Sequence, residues 1–189
     1  MPIEPDTKDW TWVVERGCAE CGFDASAIDR EQVAELIRLN ALAWRELLLA
    51  PTPSLTRRPA DDRWSALEYA CHVRDVYRLY DVRLHLMLDQ DGPTYPNWDQ
   101  DQTAIDEHYA EQDPATVSRD LQAAAATLAE SFDDVDGEEW LRTGIRSDGA
   151  HFTVDTFARY LVHDPIHHVH DVEENFARLG PVDDSPGTP

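Results

Sequence analysis

The run SALEYACHVRDVYRLYDVRLHLML, residues 65–88, decides how the chain is read. Ser65, followed three residues on by Glu68, is a capping box: each side chain satisfies a free backbone amide at a helix start. Leu67, Cys71, Val76, Leu79, Val82 and Leu86 then recur at helical spacing. The segment predicts a helix to about Leu88. His72 lies one turn inside it, in the otherwise apolar setting Tyr69-Ala-Cys-His-Val. A histidine buried there needs a partner.

Working outward, the same signals recur. Asp29 and Gln32 make a capping pair ahead of Val33, Leu36, Ile37, Asn40, Ala41, Trp44, Leu47 and Leu48, and Pro51 and Pro53 stop that helix. Thr52–Arg63 reads as a linker. After residue 88 a polar loop holds Pro93, Pro96, Asn97 and Trp98, and a short helix is expected near Gln102–Ala110. Asp113-Pro114 opens a third long helix with an alanine-rich interior that ends near Phe132. Asp133–Ala150, with Gly137, Gly144 and Gly149, reads as loop or a small hairpin. A fourth helix runs from near Thr153 to Leu179, before Gly180 and Pro181. Four amphipathic helices and no convincing strand pattern predict an all-α four-helix bundle, with connections long enough to leave the helix order open. The expected organisation is an irregular segment 1–27 packed on the bundle, the bundle itself over 28–180, and a disordered tail at 181–189.

The 189 residues suit one domain, and 42% apolar residues can fill a single core. A formal net charge of −22 repels phosphate backbones and anionic lipid, which sets nucleic-acid and membrane partners aside. Met1–Lys8 is polar and acidic, unlike a signal peptide, and no apolar run reaches the ~20 residues of a membrane span. Three cysteines without a secretory signal suit a reducing cytoplasm.

Residues 160–171 read YLVHDPIHHVHD. His163 and His167, four apart, stack on one helix face and can chelate one divalent ion. The same spacing also suits a hydrogen-bonded core pair or a surface feature. His170 lies on nearly the same face one turn on, whereas His168 points about 100° from its neighbour. The third ligand must come from another helix, and His72 is the best placed. Three histidines would leave metal positions open, as catalytic sites do. Pro165 is expected to kink the helix about one turn before it. Cys18 and Cys21 leave three readings: half of a zinc site with two non-cysteine ligands, a disulfide on oxidation, or free thiols packed on the bundle. Cys71 reads as a small core residue.

Trp64-Ser-Ala-Leu-Glu68-Tyr-Ala-Cys-His72 together with His163-Asp-Pro-Ile-His167-His168 resembles the DinB/YfiT-like superfamily of metal-dependent thiol transferases. The resemblance covers about residues 9–179. It implies a four-helix bundle with His72, His163 and His167 as ligands to a divalent metal: zinc first, with nickel, manganese or iron as alternatives. Relatives use mycothiol or bacillithiol in S-transfer or in isomerisation of maleylpyruvate. The isomerase branch carries a further C-terminal domain for which this chain is too short. The resemblance therefore implies an S-transferase in which the metal activates a thiol, mycothiol first, for attack on a small electrophile. The alternative is a non-catalytic metal- or small-molecule-binding protein of stress response or detoxification. Asp164 is placed to orient an imidazole, and Glu68 to serve as a base or acceptor, although capping already explains it. Arg57, Arg58, Arg142 and Arg146 are candidates for gripping a carboxylate-bearing thiol or substrate. The loop at Asn97-Trp98-Asp99 is placed to close over the cleft. Bundles of this kind can pair as homodimers, though the sequence holds no interface signal.

Overall fold

Ser65 caps its helix as the sequence predicts. Its hydroxyl accepts from the Glu68 amide at 3.3 Å, and Glu68 Oε2 accepts from the Ser65 amide at 2.9 Å. The same carboxylate, almost wholly buried, takes the Arg58 guanidinium, so the start of the helix is tied to the preceding linker. The computed structural model describes residues 9–179. The polar stretch Met1–Lys8 and the expected tail at 181–189 lie outside the described residues.

The helices are α1 (Val33–Leu47), α2 (Thr52–Thr56), α3 (Ala66–Asp89), α4 (Gln100–Asp106), α5 (Pro114–Asp133) and α6 (Val154–Leu179). A 3-10 turn, Arg30–Gln32, carries the Asp29/Gln32 capping box and leads into α1. α5 packs against α1 and α3, and α6 completes the bundle against the same two helices. Trp44, Tyr77, Leu84, Leu121, Leu128, Phe157 and Leu161 fill the core. The Tyr77 hydroxyl donates to Asn40 Oδ1 at 2.6 Å inside it and pins α3 to α1. Residues 9–28 form short 3-10 turns, Thr11–Val14 and Ala25–Ala27, that lie on α6 with Val13, Cys18 and Ala25 buried.

Three details add to the sequence reading. The linker holds the short helix α2, which starts after Pro51 with Pro53 in its first turn, where a missing amide costs nothing. α6 continues through Pro165 as one helix. Of the two readings for Asp133–Ala150 the hairpin holds: β2 (Thr143–Arg146) pairs antiparallel with β3 (His151–Thr153), and β1 (Thr94–Tyr95), not expected, runs parallel to β2. Strands this short carry too few residues to show alternation.

Gly144 sits where β2 crosses α3. A Cβ there would lie 2.8 Å from Met87 Cγ and 2.9 Å from Tyr95 Cε1. Gly144→Ala should cost about 1–3 kcal/mol by overpacking. Urea unfolding checks this, and an unchanged midpoint would contradict it. Glu68 gives a pH test. Burial alone would raise its carboxyl, but hydrogen bonds from Arg58 and Ser65 outweigh burial and hold it below the ordinary value. A depressed carboxyl contributes stability above its unfolded pKa and loses it as pH falls through the folded one. Glu68→Gln should therefore cost about 1–3 kcal/mol at neutral pH and much less in acid, below the folded pKa. Equal losses at both pH values would contradict the pairing.

Candidate metal centre

A cavity of about 900 Å3 opens between α3, α6, the loop at Asn97–Asp101 and the β2–β3 hairpin. α3 contributes Tyr69, His72, Tyr80 and Arg83 to its wall, and α6 contributes Tyr160, His163, Asp164, His167, His168 and Asp171. The capping box fixes where α3 begins, and so fixes His72 one turn in.

On α6 the sequence H-D-P-I-H-H contains two i,i+4 pairs offset by one residue: His163/His167 and Asp164/His168. One residue is about 100° of helix, so the pairs face different ways. Among the described residues, metal-ligand side chains gather in two groups, each with its donor atoms within 4.8 Å of one another. His72 joins Asp164 and His168; Cys18 and Cys21 join His163 and His167. The expected ligands are thus divided: His163 and His167 stand together, and His72 stands in the other group.

In the His72 group, Asp164 Oδ1 lies 3.4 Å from His72 Nε2 and 3.2 Å from His168 Nε2. Behind His168, its Nδ1 donates to Asp171 Oδ2 at 3.0 Å. Trp98 stacks on His72 with ring centroids 5.2 Å apart and planes 5° from parallel, so the loop seats directly on this group. Burial works against charge on His168, yet the Asp164 and Asp171 carboxylates outweigh it and push the imidazolium up to about 10. The same contacts hold Asp164 well below the usual carboxylate range despite its burial. Burial lowers His72 despite the neighbouring Asp164 carboxylate. His72 Nδ1 is buried without a hydrogen-bond partner.

Two imidazoles and one carboxylate from two helices, with a carboxylate bracing one imidazole from behind, fit a divalent ion such as zinc, iron or manganese. The set is incomplete by itself and opens on a cavity, which is the form of a catalytic site.

In the second group, Cys18 Sγ lies 3.7 Å from His167 Nδ1 and Cys21 Sγ 3.7 Å from His163 Nε2. Both cysteines are free thiols. Burial, then the neighbouring His167, lowers His163 to about 4. Burial also pushes the Cys21 thiol up to about 11.

The remaining candidates separate by position. Arg57 donates to the Leu179 carbonyl, Arg58 pairs with Glu68, and Arg142 donates to the Met87 and Gln90 carbonyls. Those three hold the frame. Arg146 lines the cavity beside Tyr160 and Asp148. Arg83, which the sequence did not single out, is buried in the same wall and donates to the Pro96 carbonyl at 2.7 Å. Cys71 is buried against Gln112 and Tyr109, in neither group. His170 faces Glu174. The missed signal for His168 was the phase of α6: the core stripe Val154, Ala158, Leu161, Pro165, Val172 passes through position 168.

Residues 29–172 match the profile of the DinB superfamily. Among curated proteins none matches the chain. A solved structure, YfiT from Bacillus subtilis, described as a probable metal-dependent hydrolase with an unusual four-helix bundle topology, superposes with a TM-score of 0.72 at 16% identity. The match covers 81% of this chain and 90% of that one. At that identity the likeness concerns the fold. Among the described residues no helix is long and apolar enough to cross a membrane.

The electrostatics of the His72 group can be read directly. In chelator-treated protein, imidazole nitrogen NMR at neutral pH should show His168 charged and His163 neutral. A neutral His168 would contradict its placement between two carboxylates.

Proposed function

The chain belongs to the DinB superfamily, and from that premise we propose that its cavity is a metal-dependent catalytic site with His72, Asp164 and His168 as ligands. The observation that carries this reading is their convergence from α3 and α6 on one side of a roomy cavity. These residues would hold a divalent ion, whose Lewis acidity would make a thiol nucleophilic at neutral pH. Asp164 offsets one of the ion's charges, so the site acidifies a thiol less strongly than three neutral imidazoles would.

The chain's own residues then divide the work. Asp171 fixes the His168 ring. Trp98 and Trp64 pack against His72, with Trp64 at 5.2 Å between centroids, and exclude water from it. Arg83 and Arg146, with Arg63, are cationic side chains of the cavity wall, in a chain of net charge −22, and offer an anionic group its grip. That chemistry suits an anionic group on a small electrophile, attacked by a low-molecular-weight thiol, mycothiol foremost. Hydrolysis by an activated water is the second reading, favoured by the description of YfiT as a metal-dependent hydrolase.

Metal analysis of the purified full chain, with turnover of an electrophile panel in the presence and absence of mycothiol, tests this. His72→Ala and His168→Ala should each lose the cavity metal and all thiol-dependent turnover, while His163→Ala keeps the cavity metal. Turnover that needs no thiol would move the reading to hydrolysis. Full metal content in both His72→Ala and His168→Ala would overturn the ligand assignment. Arg146→Ala should raise KM for the anionic partner about tenfold or more, the scale of one charged hydrogen bond.

A further inference from the structure

We propose that Cys18, Cys21, His163 and His167 form a second metal site, a closed tetrahedral zinc site that clips the N-terminal segment to α6. The profile match begins at residue 29, after both cysteines, so this site joins the chain's own N-terminal segment to the family's bundle.

Spacing is the first support. Zinc–sulfur bonds of about 2.3 Å and zinc–nitrogen bonds of about 2.0–2.1 Å at tetrahedral angles put sulfur and nitrogen about 3.6 Å apart. Both thiol–imidazole pairs stand at 3.7 Å. Two separate thiol–imidazole hydrogen bonds would bring the donors together only in pairs. Here all four donor atoms lie within 4.8 Å of one another, as ligands of one ion must.

Local structure is the second. Cys18 and Cys21 bracket a tight turn: the Gly22 amide donates to the Cys18 carbonyl and the Cys18 amide to the Phe23 carbonyl, both at 2.9 Å. Gly22 has φ 75, a left-handed conformation that favours glycine. This turn aims both sulfurs at one helix face, and the i,i+4 spacing aims both imidazoles back. The outer nitrogen of His167 faces carboxylates, Glu20 Oε2 at 3.7 Å and Asp171 Oδ1 at 3.8 Å, as the bracing groups of zinc-bound histidines do.

Chemistry is the third. Two cysteines and two histidines make the four-ligand set of structural zinc, with no position left for substrate. Binding would release two thiol protons to solvent, and the two thiolates would neutralise the ion. The mechanical consequence reaches the cavity. Trp10 packs on His163 and His167, with centroids 5.5 and 4.9 Å away, and forms part of the cavity wall. The clip therefore holds one side of the candidate active site in place.

Cobalt loading of the reduced full chain tests the proposal. Tetrahedral cobalt bound by two thiolates absorbs through sulfur-to-metal charge transfer, which a site of imidazoles and carboxylate cannot show. The wild type should show that band and bind two metal equivalents by native mass spectrometry. Cys18→Ser/Cys21→Ser should lose the band and one equivalent. His72→Ala should keep the band and lose the other equivalent, so failure of the cavity reading is told apart from failure of this one. His167→Cys should keep metal binding with a stronger charge-transfer band, which a collapsed fold would not. A wild-type protein without the band, a band that survives the double serine variant, or a Cys18–Cys21 disulfide in protein purified under reducing conditions would overturn it.

Discussion

One turn of α6 carries two chelating pairs, and the pitch of the helix separates them. His163/His167 and Asp164/His168 have the same spacing and differ by one position, so they stand about 100° apart. A helix cannot turn both toward the same partner. The Asp164/His168 face meets His72 on α3, and the His163/His167 face meets the cysteine turn of the N-terminal segment. Both faces line the cavity, and the second also carries Trp10 and the thiols. The division between a three-donor set and a four-donor one follows from that angle.

The rest of the bundle keeps the angle meaningful. α3 must begin where it does for His72 to reach Asp164, and the Ser65/Glu68 box with Arg58 behind it sets that point. Tyr77 and Asn40 hold α3 against α1. The small sheet, made possible by Gly144 lying against Met87 and Tyr95, brings Arg146 to the cavity rim. The preceding loop lays Trp98 flat on His72. These contacts join helix capping, core packing and the chemistry of the site.

The bundle was legible in the sequence because capping boxes and apolar periodicity are local signals. Asp29/Gln32, Ser65/Glu68 and Asp113-Pro114 each mark a helix start that the structure keeps. The sheet was legible only as the hairpin alternative for Asp133–Ala150, and β1 was missed, since strands this short do not alternate. At the site, the sequence reading joined His72, His163 and His167 as one ligand set; the structure puts His163 and His167 side by side and His72 with Asp164 and His168. What spacing cannot supply is helix phase: H-D-x-x-H-H fits two registers equally, and only packing shows which one looks at α3. The cysteine turn illustrates the same limit. Its zinc reading lacked two ligands because they lie about 140 residues away, on the face the sequence had turned toward His72.

Anomalous diffraction at the zinc edge, from crystals of the zinc-loaded full chain, tests the division of ligands most directly. The account predicts a peak in the cavity bounded by His72, Asp164 and His168, apart from any ion held by His163 and His167. A single ion bound by His72 together with His163 and His167 would contradict it.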